Sequence, residues 1–230
     1  MDNKTNKEQI IELLASKSVC KYSVFDNTYE SFKIIKGLLN EIAEELKVEL
    51  SDRNEDIPIQ YKERGKYEVE FKVAGDLLIF NMHTNVFEFP KAHAVMQTKY
   101  VKDDVLRSYC GVISIYNFLA DSFRFNRLND VGYLIGRIFI NKDKHYLVEG
   151  KRQLGFLFND FTNQKLTKES LRKIIESSLK YSIEFDLLVP PFDEVKLVSV
   201  QEMNQIASSV SLKTGKRLGF RYEAHKNDIK

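Results

Sequence analysis

Cysteine occurs only twice among the 230 residues, at Cys20 and Cys110, far apart and outside any CxxC or Cys/His spacing. A disulfide framework and a zinc site are therefore not indicated, and buried or half-buried reduced thiols are expected. Long apolar runs are scarce too. The uncharged stretch from Ser108 to Ala120 falls short of the roughly 20 apolar residues a membrane helix needs. The opening Met1-Asp2-Asn3-Lys4 lacks the basic-then-apolar order of a signal peptide, so a cytoplasmic protein with no membrane partner is expected. No Gly-x-Ser-x-Gly elbow, Rossmann glycine fingerprint or P-loop occurs. His145 and Val210 stand where the first P-loop glycine would be needed.

Charge of one sign is nearly balanced, at a formal net of +2, but its placement is uneven. Residues 1–56 hold 8 Lys/Arg against 12 Asp/Glu, leaving a mildly basic remainder. That is weaker than the footprint of a dedicated DNA-binding domain. Apolar residues make up 43% and charged residues 30%, a globular balance with enough material for a core.

Capping chemistry and periodicity divide the chain. Thr5 with Glu8 forms a capping box for a helix from Asn6 to Ser16, and Asn27 with Glu30 repeats it for a second helix ending near Leu50. The apolar stripe of the second helix is Phe32, Ile35, Leu39, Ile42 and Leu46, three to four residues apart. The period then changes to two. Tyr67, Val69, Phe71 and Val73 alternate with Lys66, Glu68, Glu70 and Lys72, predicting an antiparallel meander over 57–89 with the first set inward and the second solvated. Turns at Gly75/Asp76 and Thr84/Asn85 lead into Leu77–Met82 and Val86–Phe89. Further strands are predicted at Val112–Leu119, Gly132–Ile140 and His145–Glu149, a helix from Thr167 to near Phe185 with a Leu166/Leu171 staple, and a short strand at Val195–Val198. Ser199 with Glu202 predicts a last helix carrying Met203, Ile206 and Val210. Helices, then strands, then helices predict an α+β fold, with N-terminal helices, a central antiparallel or mixed β-sheet, and C-terminal helices packed on it. The expected divisions are a helical segment 1–56 packed on the main domain, an α+β domain 57–223 and a frayed tail 224–230.

The unit Gly150-Lys151-Arg152-Gln153-Leu154-Gly155-Phe156 returns, one residue shorter, as Gly215-Lys216-Arg217-Leu218-Gly219-Phe220. A glycine followed by two cations suits a phosphate or carboxylate, so Lys151, Arg152, Lys216 and Arg217 are candidate anion ligands. Two basic turns with Leu and Phe as core anchors would explain the same letters. Basic residues interleave with aromatics at Phe123-Arg124-Phe125-Asn126-Arg127, adding Arg124 and Arg127 to the set; such a mixture tracks single-stranded nucleic acid or is a strand with wet arginines. The single histidines His83, His93, His145 and His225 have no metal-ligand spacing.

Asp130 before one strand, and Glu149 and Lys151 at the end of the next, resemble the pattern of the PD-(D/E)xK nucleases. By that resemblance Asp130 and Glu149 would hold Mg²⁺ and Lys151 would stabilise developing charge. Asp130 follows Asn129 rather than the family's proline. Across residues 125–161 and 214–220 the chain looks similar to an uncharacterised bacterial family of soluble cytoplasmic proteins, which implies no activity and carries over no site residue. The expectation is a non-enzymatic binding or regulatory protein with an anionic partner, nucleic acid included, and no cofactor. A Mg²⁺-dependent nuclease and a structural or protein-interaction module that self-associates stand beside it.

Overall fold

The computed structural model describes residues 5–187, 189, 191–201 and 203. The Thr5 hydroxyl accepts the Glu8 N–H while the Glu8 carboxylate accepts the Thr5 N–H, and this capping box opens α1 (Asn6–Leu13). The helix does not end at Ser16 as expected. It passes through a π turn, Leu14–Ser18, into α2 (Val19–Asp52), a helix of 34 residues. Asn27 is thus no cap but a mid-helix residue. Its side-chain amide reaches across the molecule and donates to the carbonyls of Asn141 and Lys142, at 3.1 and 2.8 Å.

Seven strands form one antiparallel sheet: β1 (Ile59–Glu63), β2 (Glu68–Val73), β3 (Asp76–Met82), β4 (Phe87–Glu88), β5 (Tyr109–Leu119), β6 (Tyr133–Asn141) and β7 (Tyr146–Gly150). The order is β1-β2-β3-β5-β6-β7, with β4 pairing β5 rather than extending the meander from β3. Between β3 and β5 the chain also makes a 3₁₀ turn at Ala94–Gln97, α3 (Lys99–Asp103) and a second 3₁₀ turn at Val105–Ser108. The alternation holds on β2: Val69, Phe71 and Val73 are buried in the core, with Tyr67 half-buried against it. Glu70 on the opposite face is also buried, against expectation, because Arg64 closes over it with Nε 2.5 Å from its carboxylate.

The inner face of the sheet carries Leu78, Phe80, Ile113, Ile115, Ile138 and Val148. Phe32, Ile35, Leu39 and Ile42 of α2 cover it, together with Leu171, Ile174, Ile175 and Leu179 of α6 (Lys168–Ile183). Gly111 lets α2 pack closely on β5: a Cβ there would stand 2.1 Å from the Thr28 hydroxyl. Thr167 caps α6, and Leu166 joins the same core as Leu171.

Four short helices were not predicted from the sequence: α3, and with it α4 (Ala120–Arg124), α5 (Gln153–Leu157) and α7 (Phe192–Val195). α4 replaces the strand expected around Phe123, which leaves Phe123 and Phe125 partly exposed. The strand expected over Val195–Val198 does not form: α7 ends at Val195, and residues 196–198 are irregular. Pro191 takes an extended N-cap conformation (φ −56°, ψ 140°) and starts a helical turn at Phe192. Ile206, Val210 and the second Gly-Lys-Arg unit lie outside the described residues.

Candidate functional site

The candidates from the sequence are dispersed. Asp130 sits in the loop before β6, where its carboxylate accepts the Ser122 hydroxyl at 2.7 Å and meets Arg127 Nε at 2.9 Å. Both charges of that pair are buried, with side chains 7% and 5% exposed, so Arg127 neutralises Asp130. Glu149 lies on β7, bonded to Arg137 on β6 and facing His93 Nε2 at 3.4 Å. The acidic residues of the nuclease-like pattern therefore answer to different cations. Among the described residues no three His, Cys, Asp or Glu side chains gather closely enough to hold a metal.

Gly150-Lys151-Arg152 folds as a tight turn that brings α5 back onto β7. A Cβ on Gly150 would strike Leu154 at 2.6 Å, and one on Gly155 would strike the Gly150 carbonyl at 2.6 Å. Packing of the chain on itself explains both glycines. Arg152 adopts φ 47°, ψ −122°, pairs with Glu184 at 3.7 Å and lies over the Tyr181 ring. Lys151 is exposed, and Arg124 lies over the Phe125 ring. Lys216 and Arg217 are outside the described residues, and so is any meeting of the two units.

A different constellation stands on the outer face of the sheet. Residues directly opposite in an antiparallel pair share a face. Here Glu68 opposes Asn81, Asn81 opposes Ser114, Ser114 opposes Arg137, and Arg137 opposes Glu149. Five strands thus contribute a continuous polar row to a face that also carries Ile79, Val112, Phe139 and Leu147 and, on β2, the buried Glu70. The row is internally bonded: Asn81 donates to Glu68 at 3.3 Å, and Arg137 donates to Glu149. A bulge adds Ile135 to β6 opposite Ile115/Tyr116, which keeps Leu134 and Arg137 on the same face although three positions separate them.

The segment between β3 and β5 folds over one side of this row and brings two histidines. His83 Nδ1 accepts the Asn85 N–H at 3.0 Å, and its ring meets Phe87 edge-on at 4.7 Å. His93 Nδ1 accepts the Val95 N–H at 3.3 Å while its ring stacks on Phe89 at 4.5 Å. Each neutral imidazole therefore carries its proton on Nε2. Asn81, Ser114, Arg137 and Glu149 of the row, the two histidines, Phe87, Phe89, Tyr116 and Phe139 line a cleft of about 510 Å³, with Glu68 outside it. That volume lies within the range of small-molecule sites. Cys110 reaches the cleft wall but is 1% exposed, and burial pushes its thiol well up, so it offers no thiolate nucleophile at neutral pH.

A second cleft, about 560 Å³, runs along α6 between Thr167 and Lys180. Its charges, Glu169, Lys173, Glu176 and Lys180, have the mixed signs of a solvated helix face.

The sequence did not reveal the outer-face site. Glu149 was a candidate for another role, and His83 and His93 stood out only as isolated histidines. The signal that unites them is strand register, which carries no local motif. No protein-family model, curated protein or solved structure matches the chain, so the likeness of 125–161 and 214–220 to a bacterial family has no match beside it.

Proposed function

We propose that the protein is a small-molecule binding protein whose outer-face cleft receives a flat heterocycle with hydrogen-bonding atoms along one edge. The observation that carries this is the pairing of a polar floor with ring walls. The floor mixes donors and acceptors: the Asn81 amide, the Ser114 hydroxyl, the Arg137 guanidinium and the Glu149 carboxylate. Around it stand six ring-bearing side chains, His83, Phe87, Phe89, His93, Tyr116 and Phe139. Rings offer stacking surfaces, while the floor reads the edge of whatever is stacked.

Formal charge argues against a polyphosphate in this cleft. Glu88 and Glu149 outnumber Arg137 when the histidines are neutral. Recognition of a polyanion rests instead on the two Gly-Lys-Arg units. Of the described cations expected to serve it, Arg127 and Arg152 already face carboxylates.

The test is a saturation-transfer NMR screen with adenosine, guanosine, cytidine, uridine and simple pyridine and pyrimidine fragments. At least one should bind and shift the imidazole signals of His83 and His93, and Arg137→Ala should weaken it at least about tenfold by removing a charged hydrogen-bond partner. Absence of binding throughout the panel, or binding that leaves both histidines unmoved, would overturn the proposal.

A further inference from the structure

Away from the outer face, we infer that the cleft along α6 binds a free α-amino acid with an apolar side chain. The charges lining this cleft are of two kinds. Glu176 is held by Arg172 at 2.8 Å, and Lys180 lies 3.6 Å from Glu184. Those two are answered within the protein. Glu169 and Lys173 are not: four positions apart on the same face of the helix, neither makes an ion pair among the described residues. The Glu169 carboxylate accepts its own N–H and the Thr167 hydroxyl at the start of the helix, and Lys173 acts on it only through space.

Charge selects the occupant. An unpaired cation beside an unpaired anion is the complement of a zwitterion, which carries its carboxylate and ammonium on one carbon. A simple carboxylate would answer Lys173 but stand beside the like charge of Glu169, and a simple amine would do the reverse. Exposed ion pairs contribute little by themselves, so affinity has to come from what lies below them.

The floor and wall of the cleft supply it. Gln164 lines the cleft with its side-chain oxygen out of water and without a hydrogen-bond partner. A buried acceptor left unpaired is costly, and turning the amide toward a ligand ammonium replaces that cost with a charge-assisted bond. Beside it Tyr146 is 3% exposed, its phenol hydrogen-bonded to Ser170. Phe158 and the half-exposed Leu157 form an apolar wall that suits the side chain of leucine or phenylalanine. The cleft's volume of about 560 Å³ has room for either.

The test is an NMR titration of the ¹⁵N-labelled full chain with L-leucine and L-phenylalanine. At least one should saturate the protein and shift the Gln164 side-chain amide signals. L-Leucinamide, which lacks the carboxylate, and N-acetyl-L-leucine, which lacks the ammonium, should each bind about tenfold or more weakly. Lys173→Met and Glu169→Gln should each weaken the amino acid by a similar factor while the backbone spectrum stays that of the folded chain, because both side chains are exposed. Four results would each overturn the inference: no saturable shift with either amino acid, shifts at His83 and His93 in place of Gln164, equal binding of leucinamide or N-acetyl-leucine, or unchanged affinity in Lys173→Met.

Discussion

Single side chains settle two questions that strand patterns leave open. Glu70 sits on the solvent side of β2's alternation, yet its side chain is only 8% exposed because Arg64 covers it while lying over the Phe123 ring. Removing the cation strands a carboxylate out of water. Arg64→Ala should cost about 2 kcal/mol, below the range for fully buried pairs because Arg64 itself is 35% exposed. Adding Glu70→Gln should recover most of it, and equal losses in the single and double variants in urea melts would contradict the pairing. Asp104 makes a pH-dependent case. The Lys142 ammonium, helped by the Leu106 N–H, holds its carboxyl below the ordinary value of 3.8. A carboxyl with a depressed folded value stabilises the fold above its unfolded value, and that contribution is lost as pH falls through the folded value. Asp104→Asn should therefore be less stable than wild type at pH 7, with the gap closing below about pH 4. A gap of unchanged size from pH 7 to pH 2 would show that the carboxyl titrates no differently once folded. The tautomers of His83 and His93 are equally checkable: long-range ¹⁵N correlation spectra of the neutral rings should show both protonated at Nε2, since a proton on Nδ1 would meet a backbone N–H.

At the scale of elements, α2 and β5 meet closely at Gly111. Gly111 leaves room for Thr28, whose hydroxyl donates to the Val24 carbonyl at 2.7 Å and so cannot swing away freely. Gly111→Ala should destabilise by about 3 kcal/mol through overpacking, and Thr28→Ala should restore part of that loss. Full tolerance of the alanine in thermal melts would mean that the helix stands farther off. Most elements were legible because their signals are local. Thr5 and Thr167 cap where their hydroxyls predict, and Val69, Phe71 and Val73 turn inward as their alternation predicts. The errors arise where a local signal serves a distant partner. Asn27 looks like a cap because asparagine amides suit caps, but its amide binds the β6–β7 turn. Val86–Phe89 looks like the next meander strand, but the chain does not reverse at His83–Asn85: β4 runs on in the direction of β3 along the same edge of β5.

For the whole molecule, the sheet separates two environments, a dry inner face under α2 and α6 and an outer face crossed by the polar row from Glu68 to Glu149, with the Arg64–Glu70 pair beside it. That row was illegible in the sequence because its five members span residues 68 to 149, and each is an ordinary polar position within its own strand. Only the register of four strand pairings makes them neighbours, and that register depends on core packing across connections of unequal length. Ser114 stands at the middle of the row with a small side chain, so Ser114→Phe would fill the floor of the cleft without entering the core. The decisive measurement is a calorimetric titration of the tightest binder from the heterocycle panel into wild type and Ser114→Phe, with their thermal midpoints compared. A cleft that functions as the binding site predicts heat and saturation with wild type, none with the variant, and midpoints that agree. Equal binding by both proteins would place the ligand elsewhere and contradict the account.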